Sequence, residues 1–214
     1  MSDKTIAEQL RQPKGEFGVQ VGEKMNRENF LINVNTISTL KLSPNDHILE
    51  IGMGNGFFVK DILNLDNSIK YTGCDFSEIM FKEACKQNEQ FIRSGQADFL
   101  LASVEKLPFK NESFDKVFSV HSIYFWENQE LALSEIHRVL KQNGQLTISV
   151  RPKSIMENYS YVKFGFRIFS KDDLVKLLSD NNFEIIETIE KEEYEKEING
   201  EKAKVNTLII RSVK

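Results

Sequence analysis

Three alternating glycines, Gly52, Gly54 and Gly56, stand in the segment ILEIGMGNGFF, directly after the apolar run His47–Ile51. Glycine at a strand-to-helix turn lets the backbone bend sharply and lets a ligand approach main-chain atoms closely. Asp75 ends a second apolar run, in YTGCDFS. A carboxylate about 20 residues beyond such a loop accepts hydrogen bonds from ribose hydroxyls. The two features describe a site for a nucleoside-containing cofactor at the carboxyl ends of parallel strands.

The loop reads G-x-G-x-G, whereas a dinucleotide fingerprint needs G-x-G-x-x-G, with a pyrophosphate facing the helix N-terminus. Glu50 stands two residues before the first glycine. A carboxylate there repels a phosphate and favours a cation, such as the ammonium of a methionyl group. The expected cofactor is therefore S-adenosylmethionine rather than NAD. The bland alternative is a tight strand-to-helix turn that binds nothing.

Methyl transfer from a sulfonium is an in-line displacement with a good leaving group. The protein needs to position donor and acceptor, exclude water and sometimes remove a proton. The groups that do so belong just past the carboxyl ends of the first and fourth strands. The fourth apolar run ends at Ser119-Val120-His121-Ser122, followed by Ile123-Tyr124-Phe125-Trp126. His121 is the candidate general base, because an imidazole ordinarily titrates near neutrality. The other reading is a histidine that hydrogen-bonds only cofactor or backbone. Tyr124 and Trp126 are candidates for an aromatic wall beside the sulfonium or the substrate, or for plain packing.

Arg151 follows the fifth apolar run, and Arg167 lies in the stretch from Arg151 to Phe169. A guanidinium in either place can grip a carboxylate or phosphate, or form a surface ion pair. The same stretch holds Tyr159, Tyr161, Phe164 and Phe166, an apolar substrate wall in outline. His47 and His137 read as structural.

These groups need a scaffold. Candidate strands are His47–Ile51, Lys70–Asp75, Asp98–Ala102, Phe114–Val120, Gln145–Val150, Phe183–Glu190 and Lys204–Val213. Between the first five lie helical stretches or short crossings. The alternation implies a mostly parallel α/β sheet with helices on both faces. After Asn128, Ala132, Ile136, Val139 and Leu140 share a helical face, and Ser170 can cap a helix with Asp173 three residues on. Asn199-Gly200 is a hairpin signal, so the last two strands should pair antiparallel. Residues 1–24 read as an irregular arm and a helix begins at Met25. The arm, with Gly15, Phe17 and Gly18, is a candidate lid. The chain is read as a single domain, with residues 1–42 as arm and helix and 43–214 as a Rossmann-like core.

The formal net charge of −4 argues against a duplex-binding protein, and no nucleic-acid partner is expected. No run of 18 apolar residues exists, so no membrane span is expected, and the first residues lack the apolar core of a secretory signal. Cys74 and Cys85 show no metal-ligand spacing. No metal is expected, and the location is read as cytoplasmic. Oligomeric state is not legible.

EIGMGNG resembles the first motif of class I S-adenosylmethionine-dependent methyltransferases, and YTGCDFSEIM resembles their second-strand segment. LASVEKLPFKNESFDKVFSVHSIYFW is similar to the stretch from adenine loop through fourth strand. EIHRVLKQNGQLTIS and FSKDDLVKLLSDNNFEIIE resemble the later helices and strands. The likeness covers about residues 47–190, in family order. It implies a doubly wound seven-stranded sheet in the order 3-2-1-4-5-7-6 with the seventh strand antiparallel. It also implies a small-molecule acceptor, in the branch typified by quinone-biosynthesis enzymes, with S-adenosylhomocysteine as product. The cofactor contacts it implies are Glu50, Gly52, Met53, Gly54, Gly56, Asp75, Phe76, Met80, Ser103, Val104, Glu105, Ser119 and His121. Phe17, Tyr124, Trp126, Arg151 and Arg167 are the substrate candidates. Ser103 departs from the usual aspartate of the adenine loop, and Gln142-Asn143-Gly144 stands where Pro-Gly-Gly is common. Two competitors remain: a non-catalytic S-adenosylmethionine-binding regulator, and an NAD-dependent reductase, against which the G-x-G-x-G spacing and Glu50 count.

Overall fold

A computed structural model describes residues 2–198 and 201–214, and the side chains of all of these except 195–198 and 201–203. Three helices come first, α1 (Asp3–Arg11), α2 (Gly15–Glu28) and α3 (Phe30–Thr39). Strands and helices then alternate: β1 (His47–Ile51), α4 (Val59–Leu63), β2 (Lys70–Asp75), α5 (Glu78–Gln87), α6 (Glu89–Arg93), β3 (Ala97–Leu101), β4 (Phe114–Val120), α7 (Gln129–Val139) and β5 (Leu140–Val150). The chain ends with α8 (Lys153–Met156), α9 (Lys171–Asp180), β6 (Glu184–Ile198) and β7 (Glu201–Val213).

The seven strands form one sheet in the order β3-β2-β1-β4-β5-β7-β6. Pairing is parallel from β3 across to β5, and β7 runs antiparallel to both of its neighbours. The expected order and hairpin pairing are borne out, while Asn199 and Gly200 themselves lie outside the described residues. Both faces of the sheet are covered, so side chains of period two enter opposite layers. Leu49 and Val117 join the core under α7 and α9, and their neighbours Ile48 and Phe118 join the one under α3 and α4.

Two helix starts follow the sequence closely. The Asn128 side chain accepts the Leu131 N–H at 3.0 Å, and Ser170 with Asp173 closes a reciprocal capping box. The N-terminal arm departs from expectation. It is helical, with Ser2 capping α1 and α2 starting at Gly15. Gly18 and Gly22, read as loop residues, lie one turn apart on the buried face of α2. A Cβ on Gly18 would press on Pro13 and Ile79, and one on Gly22 would press on Met80. They serve close helix packing, not chain reversal. The strands also shift at their ends: β3 starts one residue earlier, β5 starts at Leu140, and β6 runs past Glu190. Among the described residues no helix is long and apolar enough to cross a membrane.

The register positions the site. Ile51 lies opposite Cys74 on one side and Ser119 on the other. The residues that follow β1, β2 and β4 therefore emerge together at one edge, where the strand order reverses.

Candidate active site

A cavity of about 320 Å³ opens at that edge. Its floor is Gly52, Gly54 and Asp75, and Phe76, Met80, Ser103, Val104 and Glu105 line its sides. The three glycines do different work. Gly52 takes φ +75° and its N–H donates to Cys74 O at 2.8 Å, while an added Cβ would overlap Ser122. Gly54 takes φ +57°, and a Cβ there would meet nothing within 4 Å, so the bare backbone faces open space. Gly56 is not among the residues lining this cavity; a Cβ on it would lie 2.7 Å from Asn88 Nδ2, and it seats the loop on α5.

Asp75 is held by main-chain donors. Its Oδ2 accepts the Gly54 N–H at 3.0 Å and its Oδ1 accepts the Ser77 N–H at 2.8 Å. Burial pushes its pKa up to about 6, against the pull of these donors. Ser103 Oγ donates to Glu105 Oε2 at 2.8 Å, and Glu105 Oε1 accepts the N–H groups of Glu127 and Asn128. The adenine-loop segment is thus pinned without the usual aspartate.

Several implied contacts stand elsewhere. Glu50 is buried behind the cavity wall and accepts the Tyr71 hydroxyl at 2.6 Å. Met53 packs over Gly73. Ser119 is buried below the floor, and its hydroxyl lies 2.5 Å from that of Ser122, which does line the cavity. Position along the strand is the reason for Glu50 and Ser119: both stand one residue before the strand end, where side chains face the layers, whereas the terminal residues Ile51, Asp75 and Val120 border the cleft.

Burial raises the Glu50 carboxyl to about 7, and the Tyr71 hydroxyl pulls it back down. A folded-state pKa above the ordinary value favours folding below about pH 4.5 and loses that contribution as pH rises through 7. Glu50→Gln keeps an acceptor for Tyr71 and removes the buried charge. It should stabilise the cofactor-free protein on the order of 1 kcal/mol at pH 8 and hardly at all at pH 4. Thermal denaturation at both values checks this, and an equal shift at both would exclude the charge as the cause.

The N-terminal helices form a roof that the sequence reading located only in outline. Leu10, Arg11, Pro13 and Met25 line the cavity. Arg11 pairs with Glu127, Gln12 Nε2 donates to Phe76 O at 3.1 Å, and Ser77 Oγ donates to Pro13 O at 2.7 Å. No motif marks these residues; their roof position arises from the packing of α2 on α5. Phe17 is partly exposed and lines neither this cavity nor the next one.

A second cavity of about 110 Å³ lies beside the first. Leu10, Met25, His121 and Phe125 line both. His121 sits at φ +62°, with its N–H donating to Ser149 O at 2.9 Å, which turns the chain away from β4 and leaves the ring on the shared wall. Its Nδ1 is 3.2 Å from the Tyr124 hydroxyl. Burial, reinforced by the Arg151 charge, pushes its pKa down to about 3, so the ring is neutral at ordinary pH. Tyr124 lines the second cavity and Trp126 the first, its Nε1 donating to Ser122 Oγ at 3.1 Å.

Arg151 is at the second cavity but already engaged. Its Nη2 lies 2.7 Å from Glu193 Oε2, and its Nη1 donates to Thr207 Oγ1 at 2.9 Å. Arg167 is brought to neither cavity; it donates to Glu127 O at 3.0 Å. Tyr159, Tyr161 and Phe166 line the second cavity, and Phe164 does not.

Residues 49–148 match the methyltransferase domain family. The chain is similar to the uncharacterized methyltransferase YdaC of Bacillus subtilis, 30% identical over 62% of this chain and 71% of that protein. It is also similar to the ubiquinone/menaquinone biosynthesis C-methyltransferase UbiE of Geotalea daltonii, 26% identical over 69% of this chain and 67% of that one. Among solved structures, a SAM-dependent methyltransferase from Aquifex aeolicus superposes with a TM-score of 0.70 at 15% identity, covering 100% of this chain and 99% of that one.

Proposed function

The chain belongs to the class I S-adenosylmethionine-dependent methyltransferases, and from that premise we propose that its larger cavity holds S-adenosylmethionine and that its acceptor is a small molecule. The observation that carries this reading is the floor of that cavity. A buried carboxylate, Asp75, stands beside the bare backbone of Gly54, where a side chain would occupy the open space. A nucleoside fits these donors and acceptors: Asp75 retains lone pairs for ribose hydroxyls, and Phe76, Met80 and Val104 offer apolar sides for a base. When bound, the cofactor supplies an electrophilic methyl group.

The chain's own residues have three tasks. Asp75 and Gly54 orient the nucleoside. Leu10, Met25 and Pro13 in the roof exclude water from the cleft. Neutral His121, on the wall shared with the second cavity, accepts a hydrogen bond or a proton from the acceptor molecule. The small volume of the second cavity supports a small-molecule acceptor.

Titration calorimetry tests the cofactor assignment. S-adenosylhomocysteine and S-adenosylmethionine are expected to bind with micromolar affinity, and NAD is expected to give no heat. Heat from NAD, with none from either sulfur compound, would overturn the reading.

A further inference from the structure

The second cavity holds about 110 Å³. An apolar cavity of about 150 Å³ accepts benzene, so this smaller space takes no more than one six-membered ring, part of which stays in the open mouth. Its walls are aromatic. Tyr159 and Tyr161 stack with centroids 5.3 Å apart, and Tyr161 lies 5.6 Å from Phe166. Its charge is not cationic. The Arg151 guanidinium is offset by Glu193, and Glu28 at the rim adds a carboxylate only 3.7 Å from Lys24. An anionic acceptor gains nothing there.

The Tyr124 hydroxyl fixes the state of His121. It accepts the Arg151 N–H at 2.7 Å and has one proton to give. Arg151 O lies 3.0 Å away and His121 Nδ1 3.2 Å away. The carbonyl is the nearer acceptor, and Tyr124 is its hydrogen-bond donor. The tautomer consistent with that donation carries hydrogen on His121 Nδ1, which donates to the tyrosine oxygen and leaves the Nε2 lone pair bare. Nε2 makes no hydrogen bond to any described residue. Tyr124 is thus a positioning residue that sets the imidazole tautomer.

We propose that the second cavity is the methyl-acceptor site and that it takes a neutral single-ring aromatic molecule presenting a hydroxyl to His121 Nε2. The assignment rests on the larger cavity holding S-adenosylmethionine. In the reaction the acceptor oxygen forms its new bond to the methyl carbon. The carbon–sulfur bond breaks with its electron pair going to sulfur, and the hydroxyl proton passes to Nε2 and then to water.

Phenol, anisole and benzoate are the probes, titrated by ligand-observed NMR into protein saturated with S-adenosylhomocysteine. Phenol should bind at least fivefold tighter than anisole, and benzoate weakest of the three. Tyr161→Ala should weaken phenol tenfold or more, and His121→Asn should erase the preference over anisole. Long-range proton–nitrogen correlation on the free protein at pH 7 should show His121 with a protonated Nδ1 and a bare Nε2. Tyr124→Phe should convert this to a mixture of tautomers. A protonated Nε2 in the wild type, anisole binding as well as phenol, or benzoate binding best would overturn the proposal. Failure of S-adenosylhomocysteine to bind would instead defeat the cofactor reading, and the nitrogen spectrum of the free protein separates the two failures.

Discussion

His121→Ala should lower methyl-transfer turnover about 100-fold or more while leaving cofactor affinity within about twofold. The ring is the polar group on the wall between the two cavities whose Nε2 is uncommitted among the described residues. An ordinary imidazole would add a second signature, a fall in turnover as pH drops through about 6.5. The structure changes that expectation. Burial and the Arg151 charge hold the ring neutral down to about pH 3, with Glu28 and the Tyr161 hydroxyl across the same cavity. Turnover should therefore show no step from this group between pH 5 and 8. A proton acceptor of such low basicity takes the proton late, as the new bond forms, which places its contribution at the lower end of general-base effects. His121→Asn is the companion variant, because asparagine tolerates the left-handed backbone better than alanine. Unchanged turnover in both variants rules out proton acceptance. Weaker cofactor binding with unchanged turnover marks a cofactor contact only.

Asp75→Ala should weaken S-adenosylhomocysteine binding by about 1.5–3 kcal/mol, the loss of charge-assisted hydrogen bonds to ribose. The pH dependence is the sharper measurement. In the cofactor-free protein burial holds Asp75 at about 6. Hydroxyl donors favour the carboxylate, so the bound-state pKa is lower, and affinity must fall as pH drops below 6, approaching tenfold per unit. Asp75→Asn keeps the shape and removes the titration, so its affinity should be weak and flat with pH. Calorimetry from pH 5 to 8 reads both effects. A wild-type affinity independent of pH, with Asp75→Ala unimpaired, would mean that the acid serves only to hold the Gly54 and Ser77 N–H groups.

The sheet was legible because its signals are local. Apolar runs of strand length, the Ser170 cap and the glycine turn each act within a few residues, and tertiary packing did not override them; the strand order came from the family resemblance. The N-terminal arm was misread for the opposite reason. Gly18 and Gly22 carry the same local signature whether they reverse a chain or seat a helix, and only the presence of Pro13, Ile79 and Met80 against them decides.

The same division runs through the site. Residue type and spacing by themselves determined that Gly52, Gly54 and Asp75 converge, since each ends or follows a strand in a parallel sheet. They also determined that His121 stands across from them. The tertiary structure alone decided which neighbours face the cleft: it turned Glu50 toward Tyr71, Gly56 toward Asn88 and Arg151 toward Glu193. It also decided the electrostatic state of the histidine. A pKa depends on how many protein atoms displace water and on which charges stand a few ångströms away. Those distances are set by α2, β5, β6 and the turn after β4, which lie far apart in sequence and meet only when the chain is folded.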